Sequence, residues 1–120
     1  MRLRSLLSLA LLAASSALAQ AFPDGATAPT AEALTQHLGE RAFKIALADG
    51  HSWRLEFSRR GHFFINTLGG FNGRGSWRTE DGKVCTIPPG QAETCNDVRM
   101  QDGQMYMKRL SGEIIKYLPH

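Results

Sequence analysis

The chain is poor in the residues that usually announce chemistry. It has two cysteines and four histidines in 120 residues. No histidine closely flanks Cys85 or Cys95, so a zinc site built on the pair lacks its further ligands. Nine residues separate the cysteines, whereas a thioredoxin-like redox pair has two between them. There is no Gly-x-Ser-x-Gly elbow to present a serine nucleophile. The glycine-rich stretch Gly69–Gly75 lacks the Gly-Lys-Ser/Thr ending of a phosphate loop, and a strand pattern follows it instead of a helix. Nothing in the sequence points to a cofactor or a metal.

A long apolar run is also missing. Arg2 and Arg4 precede an apolar stretch from Leu6 to Leu18, which ends in Ala17-Leu18-Ala19. A spanning helix needs about 20 apolar residues. A basic head, a short apolar centre and a small-x-small end predict a signal peptide over residues 1–19, cut after Ala19 or, in a second register, after Ala21. The expected home is periplasmic or secreted, and no later segment is apolar enough to span a bilayer.

Excess charge of one sign is absent once that leader is set aside. The full chain carries 14 Lys and Arg against 11 Asp and Glu. Without Arg2 and Arg4 the balance is 12 against 11. A nucleic-acid partner, which needs a concentrated basic footprint, is not expected.

What the sequence does have is alternation and punctuation. Residues 20–29 have the Ala, Pro, Gly and Asp composition of a flexible leader. Thr30 suits an N-cap, Glu32 favours the first turn, and Ala31, Leu34 and Leu38 share one side of a short helix that Gly39 stops. Beyond Gly39 the apolar period becomes two, as in Phe43, Ile45 and Leu47, then Trp53, Leu55 and Phe57. Asp49-Gly50, Asn72-Gly73, Asp81-Gly82 and Asp102-Gly103 break the runs at hairpin spacing. Strands are predicted over residues 41–48, 51–58, 62–68, 75–80, 83–87, 96–101, 104–110 and 113–118. The fold class is all-β: an antiparallel meander of about eight strands over residues 30–120, forming a small barrel or a sandwich, with one short N-terminal helix.

An exported chain meets an oxidising compartment, so Cys85 and Cys95 are expected to form a disulfide across the loop containing Pro88-Pro89-Gly90. Candidate chemistry is otherwise thin. His37, His51, His62 and His120 are scattered, with Asp49 the nearest further ligand. Glu56, Glu80 and Asp97 are the available carboxylates for hydrolytic work. Pleat alternation turns Arg54 and Arg78 outward if Trp53 and Trp77 face in. The two tryptophans suit either the base of a small barrel or the lining of a cavity. Phe71 at a glycine-flanked tip, with Arg74, Arg54 and Arg78, forms the candidate binding surface, because arginines offer planar donors to carboxylate or phosphate.

The order of Gly61-His-Phe-Phe-Ile65, Gly75-Ser-Trp77, Asp81-Gly-Lys-Val-Cys85, Cys95 and Asp102-Gly103 resembles small exported proteobacterial domains of unknown function with a lipocalin-like β-fold. More distantly it is similar to barrel-shaped periplasmic inhibitors of secreted metalloproteases, whose cysteines are placed differently. The resemblance implies a periplasmic barrel and carries no site residue across. The expected function is a non-enzymatic binding or envelope-associated protein whose partner is an envelope protein, an anionic glycan or a small apolar ligand. The alternatives are a small hydrolase or lyase using carboxylates, and a protease-inhibitor-like barrel.

Overall fold

A computed structural model describes residues 20–120. The leader expected over residues 1–19 lies outside them. Helix α1 (Ala31–Leu38) is followed by β1 (Arg41–Ala46), β2 (Ser52–Phe57), β3 (His62–Asn66), β4 (Asn72–Glu80), β5 (Lys83–Ile87), β6 (Thr94–Gln101), β7 (Gln104–Lys108) and β8 (Ile114–Pro119). Each strand pairs antiparallel with the next, and β8 returns to β1. The meander therefore closes into a barrel, and the sandwich alternative falls away. Closure removes the exposed strand edges that an open sheet would leave.

The turns follow their chemistry with one departure. At Asp102-Gly103 both residues have positive φ, 52° and 75°, as a two-residue hairpin with right-handed strand twist requires. The expected turn at Asn72-Gly73 is instead strand: Asn72, Gly73 and Arg74 pair with Asn66, Ile65 and Phe64. The reversal comes earlier, where Leu68 and Gly69 take positive φ. Gly73 and Gly75 belong in β4 for a steric reason. A Cβ at Gly73 would sit 2.7 Å from the Phe71 ring and 2.8 Å from Pro89, and one at Gly75 would fall 2.5 Å from Phe63.

Helix α1 is capped as its sequence suggests. The Thr30 hydroxyl accepts from the Ala33 N–H at 3.1 Å, and the Asp81 carboxylate accepts from the Ala31 N–H at 2.8 Å. Gly39 ends the helix, yet the left-handed residue is Glu40 (φ 59°). Gly39 is needed for space, since its Cβ would lie 2.9 Å from Arg59 Cγ. The helix is too short to persist alone, and it buries Leu34 and Leu38 in the core. Residues 20–29 lie against the barrel: Thr27 exchanges two backbone hydrogen bonds with Met100 (2.9 and 2.8 Å), and Gln101 donates to the Asp24 carbonyl.

An up-and-down barrel places its connections alternately at two ends. The helix end carries α1 and is filled by aromatic rings around Phe57. Their centroids lie 5.2 Å (Trp77), 6.1 Å (Phe43), 6.2 Å (Phe63) and 6.4 Å (Tyr117) away. Trp77 donates its indole N–H to the Ser58 carbonyl at 2.8 Å, which satisfies its one polar atom. The other end, with the β1–β2, β3–β4, β5–β6 and β7–β8 connections, has no such plug among the described residues.

Candidate functional site

At that second end the barrel holds a cavity of about 300 Å³. This is the low end of the range for small-molecule sites and holds about ten waters' worth of liquid volume. Its walls follow from strand alternation. Ile45, Leu55, Ile65 and Ile115 supply an aliphatic side, with Phe57 and Tyr117 as the floor. Burial pushes the Tyr117 phenol well above its ordinary pKa, so it stays neutral. Its hydroxyl points to Met107 Sδ at 3.5 Å.

The opposite wall is polar. Thr86 and Thr94 are direct partners across β5–β6, and Asn96 follows on the same face. Asn96 donates through Nδ2 to the Lys108 carbonyl at 3.1 Å, tying β6 to β7 above their last paired residues, Val98 and Met107. Between the Thr86–Thr94 and Val84–Asn96 pairs, the Cys85–Cys95 disulfide sits on the barrel's outer face. Cys85 has 0% exposure. The bridge locks the two strands in the register that sets Thr86 beside Thr94.

The rim combines apolar and charged groups. Leu68 and Phe71 are about half exposed, and Leu110, which lines the cavity, is 84% exposed. The Arg109 guanidinium carbon lies 5.5 Å from the centre of the Trp53 ring, and both side chains line the cavity. Arg109 Nη1 also reaches a Glu113 oxygen at 2.7 Å, while the second Glu113 oxygen accepts the Ala48 N–H at 2.6 Å. Arg109 first, and then the Ala48 N–H, hold the Glu113 carboxyl below the usual carboxylate range.

The surface expected from sequence is divided. Arg54 and Arg74 lie on the outer face of β2–β4, where Arg54 pairs with Asn66 and Arg74 with Phe64. Arg54 bonds Glu56 at 3.1 Å and His120 Nδ1 at 3.4 Å. Phe71 folds over Gly73 toward Pro89 at the rim. Arg78 lies further along β4, opposite Cys85, and is clamped by Glu93 (2.6 Å) and Glu80 (2.7 Å). Its donors are already engaged by carboxylates.

Other chemistry is dispersed among the described residues. His51 pairs with Asp49 at 3.0 Å, while His37 stacks near Phe43 with ring centroids 5.6 Å apart. Glu80, Cys85 and Cys95 converge as a metal-ligand set would, but both sulfurs are committed to the disulfide. Among the described residues, the cavity lining contains no Asp, Glu, His or Cys. It therefore lacks the paired carboxylates of glycoside hydrolysis and a nucleophile with its base.

Sequence reasoning left out Thr86, Thr94, Asn96 and Arg109. A signal for the first three was present: they stand in phase with the apolar Val84 and Val98, so alternation turns them inward. Comparison with protein-family models, with curated proteins and with solved structures yields no match.

Proposed function

We propose that this chain is a non-enzymatic binding protein of the periplasm or the medium that holds a small, mainly apolar ligand in the mouth of its barrel. The observation that carries this reading is the cavity of about 300 Å³ between the aromatic plug and a rim of apolar and charged groups. Closed barrels of this size are ordinarily filled by side chains or hold one small ligand. The signal-like leader and the disulfide support export.

Titration with N-phenyl-1-naphthylamine, a neutral apolar fluorophore, tests the reading. Saturable one-to-one binding with enhanced emission is expected. Ile65→Trp, which fills the cavity from β3, should abolish it while the circular dichroism stays that of the wild type. Absence of saturable binding to the wild type, or undiminished binding to folded Ile65→Trp, overturns the proposal. Amino-terminal sequencing of the exported protein checks the compartment and should begin at Gln20 or Phe22.

A further inference from the structure

The cavity is two-sided, and Arg109, its one charged lining residue among the described residues, is neutralised in place. Ile45, Leu55, Ile65 and Ile115 face Thr86, Thr94 and Asn96 across the barrel. The aliphatic side rewards apolar surface, whereas the Thr–Asn wall rewards a group that gives or accepts a hydrogen bond. A wholly apolar ligand would cover that wall without satisfying it, at a cost comparable to a lost hydrogen bond.

On charge alone Arg109 suggests an anion, but its surroundings argue otherwise. Its Nη1 is held by Glu113 at 2.7 Å, and its guanidinium lies over Trp53. A carboxylate ligand would have to shed its water and compete with Glu113. A cationic ligand would meet Arg109 itself, with no acidic residue among the described residues that line the cavity.

Resting on the binding reading above, we infer that the ligand class is uncharged and amphipathic. Its compact apolar body lies against β1–β3 and β8, and one neutral hydrogen-bonding end, such as a hydroxyl or carbonyl, meets the Thr86–Thr94–Asn96 wall. The disulfide beside Thr86 and Thr94 then maintains the recognition wall as well as the strand pair.

Three probes of one shape separate the possibilities: naphthalene, 2-naphthol and 2-naphthoate, titrated calorimetrically at neutral pH into wild type and Thr86→Val/Thr94→Val. Valine keeps the side-chain shape and removes both hydroxyls. The expected result is that 2-naphthol binds wild type about fivefold more tightly than naphthalene, in line with one hydrogen bond, and 2-naphthoate most weakly. In the double variant naphthalene should still bind, and the naphthol preference should fall toward unity. Equal binding of naphthol and naphthalene to wild type, an unchanged preference in the variant, or tightest binding by naphthoate overturns the inference while leaving cavity binding intact. Binding of none of the three overturns both readings.

Discussion

Arg109 and Trp53 form the side of the barrel mouth as a stacked pair, the cation 5.5 Å from the ring centre and anchored by Glu113. Trp53 reaches the cavity from β2, and Arg109 follows directly after β7. The rim is therefore assembled from segments distant in sequence. Exposed contacts between a guanidinium and an indole contribute about 0.5–1 kcal/mol. Trp53→Ala is expected to weaken N-phenyl-1-naphthylamine binding roughly tenfold, through lost aromatic contact. Arg109→Ala should weaken it only about two- to fivefold by loosening the indole. Fluorescence titration of both variants checks the order.

Glu113 makes stability depend on acid. Its carboxyl is held below its ordinary value by Arg109 and the Ala48 N–H, so its folded-state pKa lies below that of the unfolded chain. The associated stability is present above the unfolded carboxylate value, about pH 4.3, and is lost as pH falls through the folded one. The wild-type melting temperature should begin to decline between pH 7 and 5 and fall further below pH 5. Burial and then Arg41 hold the His37 imidazole below its ordinary value, while the unfolded chain takes up that proton. Asp49 and Glu93 are also depressed and contribute to the fall. Glu113→Gln should melt lower than wild type at pH 7, with the gap narrowing toward pH 3. A constant gap in melting temperature across that range would contradict the assignment.

The disulfide should be complete in protein purified without reductant. Thiol alkylation before reduction should add no mass, and after reduction it should modify two cysteines. Cys85→Ala/Cys95→Ala opens a loop with a sequence separation of 10. On the chain-entropy estimate it should lose about 2.5–3 kcal/mol. Its thermal midpoint should therefore fall by roughly 10–20 °C.

Gly75 is required for room inside the barrel. A methyl group there would meet the Ile87 carbonyl oxygen and stand 2.5 Å from the Phe63 ring. Gly75→Ala is expected to cost about 2–3 kcal/mol through forced repacking. Gly70→Ala, whose nearest atom would be Thr67 Oγ1 at 3.5 Å, should stay within about 0.5 kcal/mol of wild type. Urea unfolding of the two variants distinguishes steric need from a general effect of adding a methyl group.

The sequence by itself determined the strand periodicity, the short capped helix and the pairing of its two cysteines, because these depend on neighbours a few residues apart. It also contained the inward phase of Thr86, Thr94 and Asn96. The two Ser-Trp-Arg triplets show where local information stops. Ser52-Trp53-Arg54 and Ser76-Trp77-Arg78 have the same alternation, and in both the tryptophan turns toward the interior and the arginine outward. Trp53 stands near the start of β2, at the mouth, and lines the cavity. Trp77 stands late in β4, at the helix end, and is sealed against Phe57 with its N–H bonded to Ser58. Only barrel closure, which sets how deep each position lies and what faces it across the interior, decided that one became core and the other a wall of the candidate site.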